Sequence, residues 1–232
     1  MDSFAAWLKQ LQFDGVWQTA LLVAASLLCI VFHEVCHGLT AYWLGDPTAK
    51  RMGRLTLNPV KHIDIFGLIM MIVFKFGWAK PVPVDMRNFK NPKTGMAICA
   101  AAGPLSNLVL AAVLLFVYGV ICLPLVRAGS TAADVILQTV GTTAYLSVAL
   151  AIFNVIPISP LDGSKVLFSF LSERNYYRLM RYERYGMIAL LALVYFGNRL
   201  PFDPLGNAAG WVFDRLFILA EWGFSLSEKI FF

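Results

Sequence analysis

From Val16 to Leu44 the chain is almost continuously apolar, and this stretch limits what the molecule can be. At about 1.5 Å per residue, a helix of that length exceeds the roughly 30 Å hydrocarbon core of a bilayer. Trp17 stands near one end, and Tyr42 and Trp43 near the other, where amphipathic rings anchor a helix at the two interfaces. Composition points the same way. The 232 residues are 59% hydrophobic and 14% charged, whereas soluble domains run about 45–50% and about 25%. Too little polar surface remains to cover a soluble ball. A cytosolic enzyme, a disordered chain and a nucleic-acid-binding module are therefore excluded, and the expected fold class is an all-α polytopic membrane protein.

Two further spans are expected, over 95–126, with Gly103-Pro104 inside it, and over 134–158, which ends at Pro157 and Pro160. Residues 63–76 are apolar but too short to cross, so they read as re-entrant. Trp78-Ala79-Lys80-Pro81-Val82-Pro83-Val84 cannot be helical through its two prolines, which makes an extended, β-like segment of the region around 63–86. Residues 4–11 suit a short interfacial helix and 185–197 a fourth span, and 207–224, carrying Asp214, Arg215 and Glu221, reads as an interfacial helix, with another span as the alternative. The four cysteines show no disulfide spacing and read as small buried side chains. Residues 1–15 lack a secretory-signal pattern, and a single membrane domain over 1–232 is expected.

Charge sets the orientation. Residues 45–93 hold nine Lys/Arg against three Asp/Glu, and 163–184 hold five against two, whereas 125–133 holds only Arg127. Basic loops stay cytoplasmic, so the first two regions face the cytoplasm and the third faces outside. The excess of basic residues is thereby explained by topology, and no nucleic-acid partner is expected.

The first span carries His33-Glu34-Val35-Cys36-His37, three ionisable groups inside hydrocarbon. Each costs about 2.5–3.5 kcal/mol to insert, so such groups have partners and a task. Histidines four apart share one helix face and can grip one metal ion. Glu34 follows the first of them, placed to take a proton from water. The bland alternatives are histidines packed against a neighbouring helix or holding haem. A catalytic zinc commonly takes three protein ligands and keeps one open position. Asp162, where the third span breaks down at the cytoplasmic side, is the better third ligand than His62, although Asp162-Gly163 also suits an ordinary turn.

These residues resemble the site-2 protease family of intramembrane zinc metalloproteases, peptidase family M50. The resemblance rests on His33–His37 within a membrane helix and on Asn154…Pro157…Asp162-Gly163. Gly103-Pro104-Leu105-Ser106-Asn107, Leu57-Asn58-Pro59 through Asp64, and Gly77 through Pro83 add to it, together covering roughly 25–170. The short bacterial-type branch is the nearest in pattern, with no room expected for a PDZ or CBS domain.

The resemblance implies a three-helix catalytic core (about 16–165, followed by C-terminal helices over 166–232) in a bacterial cytoplasmic membrane, with the active site towards the cytoplasm. It also implies one zinc per chain on His33, His37 and Asp162, Glu34 as general base, and transmembrane helices of other proteins as substrates. Asn107 and Asn154 are candidates for oxyanion or substrate contact, or for plain helix–helix hydrogen bonds. Lys80, Pro81, Val82, Pro83 and Val84 could clamp an unwinding substrate by strand addition or simply plug the cavity. His62 is expected to be structural. A zinc transporter would instead spread its ligands across the bilayer, ideally in repeated halves, and no repeat is visible. A proteolytically inactive helix-binding relative finds no support while Glu34 is intact.

Overall fold

The computed structural model describes residues 15–74, 77–181, 185–186 and 203–231. Among the described residues, three helices are long and apolar enough to cross a membrane: α1 (Val16–Trp43), α4 (Pro92–Ala128) and α5 (Thr131–Val155). Between α1 and α4 come α2 (Thr48–Arg51) and α3 (Ile65–Phe74), with short 3-10 turns at Pro59–Lys61 and Met86–Asn88. After α5 follow α6 (Asp162–Phe168), α7 (Glu173–Arg181), α8 (Pro204–Leu216) and α9 (Ile218–Phe231). The expected helix over 4–11 lies outside the described residues, as does the expected span over 185–197 apart from residues 185–186. No strand occurs among the described residues.

Local chemistry sets the helix limits. Asn91 caps α4 by accepting from Thr94 N–H, with Pro92 in the first turn, where its missing N–H costs nothing. At the other end Gly129 takes φ +58°, a left-handed stop that favours glycine. Ser130 then caps α5 through Ala133 N–H. The result is a tight helical hairpin whose connection, 125–133, has Arg127 as its only basic residue. Pro104 and Pro124 both lie within α4, so the second span runs through Gly103-Pro104 without ending there.

The stretch 63–84 is re-entrant in its geometry. α3 has ten residues, about 15 Å and half of a hydrocarbon core. A Cβ on Gly67 would meet the Trp78 carbonyl oxygen at 2.0 Å, and one on Gly77 would meet the Gly67 carbonyl oxygen at 2.2 Å. The chain thus doubles back along α3. By Lys80 it has returned to its starting level, since Lys80 N–H donates to the His62 carbonyl at 2.7 Å. Residues 77–85 have no regular secondary structure and form no ladder with a neighbour.

The C-terminal helices pack against the spans. Ala209 and Phe213 of α8 and Ala220 of α9 share one buried cluster with Ala111, Leu115, Ala144 and Val148. Ala111 and Ala144 stand at the middle of α4 and α5, not at their ends. Small residues explain the fit: Gly119 of α4 faces the Ala220 carbonyl, and Gly223 of α9 faces the Phe116 carbonyl. Close backbone approach of this kind holds helices together where lipid removes the hydrophobic drive. Asp214 and Arg215 stay exposed on the other face.

Candidate metal centre

His33 and His37 lie one turn apart on α1, 5% and 9% exposed. Their Nε2 atoms are 2.9 Å from each other. Asp162 opens α6, and its Oδ2 sits 3.0 Å from each of those nitrogens. The backbone explains how an aspartate 125 residues further on arrives there. After α5 ends at Val155 the chain curls back on itself, and a Cβ on Gly163 would meet the Val155 carbonyl oxygen at 2.0 Å. Only glycine lets the turn close so tightly, and closing it aims Asp162 at α1. The Asp162-Gly163 pair is both the turn and the source of the third donor atom.

The surroundings hold the rings in place. His37 Nδ1 donates to the Cys99 carbonyl at 2.7 Å, and Cys99 Sγ donates to the His37 carbonyl at 3.2 Å. Asn107, fully buried on α4, brings its amide nitrogen to 3.2 Å from His33 Nδ1. Ser147 of α5 donates to the Asn107 carbonyl at 2.8 Å. A Cβ on Gly103 would lie 2.4 Å from His37 Cε1 and 2.5 Å from His33 Cε1, so the α4 backbone forms one wall of the centre. Lys165 Nζ stands 3.6 Å from Asp162 Oδ1, the oxygen not aimed at the histidines.

Sequence reasoning missed Cys99 and Lys165. Lys165 carried a faint signal, because it follows Asp162 by three residues and so shares its helix face. Cys99 carried none, since its contribution is a backbone carbonyl. Asn154 donates to Leu150 within its own helix at 2.9 Å and is not joined to the cluster. His62 is fully buried, with Nε2 2.9 Å from the Thr56 carbonyl, away from the centre.

Glu34 meets the extended segment. Its Oε2 accepts from Val82 N–H at 2.8 Å. Behind that contact, Arg54 Nη2 donates to the carbonyls of Lys80 at 2.7 Å and Pro81 at 3.2 Å. The far end of the segment is tied down by Asp46. This fully buried carboxylate accepts from Thr48 N–H and its hydroxyl, from Asn88 Nδ2 and from Asp85 N–H. Burial alone would raise the Asp46 carboxyl, but the bonds from Thr48, Asp85 and Asn88 outweigh it and hold it below its usual range. Asp85, paired with Arg87, is lowered to about 2.

Two imidazole nitrogens and one carboxylate oxygen, all buried and 2.9–3.0 Å apart, could hold a metal ion. The set fits zinc. Tetrahedral bonds of about 2.0–2.1 Å separate ligand atoms by about 3.3 Å, a few tenths of an ångström more than here, and N/O donors are what zinc takes.

The protein is 37% identical over 196 residues to "Putative zinc metalloprotease YwhC" of Bacillus subtilis, covering 82% of this chain and 84% of that one. The chain belongs to peptidase family M50. The family's model matches residues 119–196. The M50 chain is also similar to "Putative zinc metalloprotease Rip2" of Mycolicibacterium smegmatis, at 28% identity over 81% of this chain and 70% of the relative. The protein of that name in Mycobacterium tuberculosis is 26% identical over 96% and 81%. No solved structure matches. This M50 member is a zinc metalloprotease with several apolar helices fit to cross a membrane.

Proposed function

We propose that this M50 protease cuts peptide bonds within or near transmembrane helices of other proteins, using zinc held by His33, His37 and Asp162. One observation carries the reading. All three donor atoms are buried on or beside a helix long enough to span a bilayer, with a carboxylate, Glu34, next in sequence to the first. Peptide bonds that reach such a depth belong to membrane-embedded chains.

When bound, zinc supplies Lewis acidity, which acidifies water and polarises a carbonyl. Glu34 takes the proton of the attacking water and returns it to the leaving amine. The Val82 N–H holds one carboxylate oxygen of Glu34, and the other would do this work. The basic loops on either side of α3 and the five Lys/Arg after Asp162 support a site that faces the cytoplasm.

A helical substrate must unwind before water can attack, and the segment Lys80–Val84 supports that step with a restriction. The N–H groups of Lys80 and Val82 are spent on His62 and Glu34, and Pro81 and Pro83 have none to give. The carbonyls of Lys80 and Pro81 already accept from Arg54. The segment thus has no N–H over 80–83 to offer an unwinding helix and can help only by accepting, so it cannot form a full ladder.

The test is cleavage of single-pass helical reporters in proteoliposomes, with mass spectrometry of the products and bound zinc quantified. Cleavage by wild type, zinc retained without cleavage in Glu34→Gln, and zinc lost in Asp162→Ala would support the reading. Zinc transported across the bilayer without cleavage would replace it with a carrier. Unchanged cleavage after deletion of 80–84 would remove the clamp.

A further inference from the structure

We propose that Asn107 is a positioning residue that selects the tautomer of His33, so that His33 Nε2 is free to bind the metal. The inference rests on the zinc reading and assigns Asn107 to the ring, not to the substrate.

His37 sets the pattern. Its Nδ1 lies 2.7 Å from the Cys99 carbonyl, which can only accept. The ring proton therefore sits on Nδ1, and the Nε2 lone pair points into the centre. His33 needs the same arrangement to serve as a ligand, because a nitrogen that carries a proton has no lone pair to offer a cation. A protonated Nδ1 in turn needs an acceptor. Among the described residues, the group on His33 Nδ1 is the Asn107 amide.

Asn107 has an end for each tautomer. With Nδ2 at 3.2 Å from Nδ1, the amide donates, the ring proton lies on Nε2, and that proton points at Asp162 Oδ2 and His37 Nε2. Turned by half a rotation, the amide offers Oδ1 to a proton on Nδ1, and Nε2 becomes a ligand. Asn107 Oδ1 is buried and has no hydrogen-bond partner among the described residues, so no competing bond holds it back from this second use. The turn gives the oxygen the proton on His33 Nδ1 and places the NH2 group where the oxygen lay. Ser147 holds the Asn107 backbone from α5, so the amide can turn without the residue leaving the ring. Partners behind a metal-bound imidazole commonly change metal affinity by about 10–100-fold.

The chemistry separates this role from an oxyanion contact. Orienting His33 requires an oxygen acceptor, whereas stabilising an oxyanion requires an N–H donor. Asn107→Asp keeps the first and abolishes the second. Asn107→Leu, of similar size, abolishes both, and Asn107→Ala does so without adding bulk should the leucine not fold. The experiment measures the zinc dissociation constant of purified protein in detergent by competition with a chromophoric chelator, alongside thermal unfolding. The expected result is a constant about 10–100-fold weaker in the Leu and Ala variants and within about threefold of wild type in the Asp variant. Asp as weak as Leu, or Leu and Ala as tight as wild type, would overturn the proposal. So would a wild type that takes up no zinc, and that outcome would remove the zinc centre as well. A wild type that binds zinc but cleaves no reporter would count against the intramembrane protease alone, because the zinc constants still decide Asn107.

Discussion

Val82 N–H donates to Glu34 Oε2 at 2.8 Å, which ties the proposed general base to a loop rather than to another helix. The loop is itself held from behind by the Arg54 guanidinium on the Lys80 and Pro81 carbonyls. The aim of one carboxylate oxygen therefore depends on how the chain returns from α3.

Val82→Pro removes that donor while keeping an apolar side chain between two existing prolines. A hydrogen bond to a charged group contributes about 1.5–3 kcal/mol. Roughly a ten- to hundredfold fall in kcat/KM is expected, with zinc content unchanged, since no donor atom of the centre is touched. Steady-state cleavage of a helical reporter, paired with metal analysis, checks both parts. Full activity would mean that Glu34 needs no help from the loop.

Gly103→Ala should separate metal binding from stability. Alanine is the better helix former by up to about 1 kcal/mol. Here, however, its Cβ would fall 2.4–2.5 Å from carbons of both imidazoles, on a backbone that cannot yield easily. The expected variant unfolds at a temperature close to wild type yet carries far less than one zinc per chain. Metal content and thermal unfolding measured on one preparation decide it, and a fully loaded variant would show that the rings can retreat.

Asp46 is the acid-sensitive fastening. Its folded carboxyl is held below its ordinary value of 3.8, so its contribution to stability is complete above that pH and is lost as pH falls through the lowered value. Asp46→Asn turns one acceptor into an NH2 group amid donors from Thr48, Asp85 and Asn88, at a cost of about 1–3 kcal/mol. The variant should unfold at lower temperature than wild type at pH 7, and the gap should narrow as pH falls below 3.8. Thermal unfolding in detergent across that range checks it. A gap independent of pH would show that Asp46 acts through its shape alone.

His33 and His37 were plain in the sequence, because two imidazoles four apart inside hydrocarbon are costly unless they share a partner. Asp162 was legible only through the break in apolar pattern around it, and the turn that aims it depends on the Gly163 backbone contact. The three spans followed from length and apolarity, as 16–44, 95–126 and 134–158 against helices at 16–43, 92–128 and 131–155. The C-terminal helices did not. Asp214, Arg215 and Glu221 gave them an interfacial look, whereas their seating depends on glycines meeting backbone carbonyls, a match between two distant segments. Cys99 acts through a carbonyl that every residue has, so no side-chain pattern could reveal it.

That seating gives the last prediction. Gly119 lies twelve residues beyond Asn107 on α4, about 18 Å along the helix and away from the metal centre. Its missing side chain lets the Ala220 carbonyl approach, and a Cβ there would stand 2.0 Å from that oxygen. Backbone cannot step aside as a flexible side chain does, so Gly119→Val should push α9 off α4. Overpacking of this kind costs about 1–3 kcal/mol. The expected result is a lower unfolding temperature and faster proteolysis within 204–231, with zinc content kept. Protease digestion in detergent, followed by mass spectrometry of the fragments, reads the second effect. Loss of zinc together with loosening of the tail would mean that α8 and α9 brace the metal centre, whereas loosening alone would make them a separate buttress on the half of the bundle away from the metal centre.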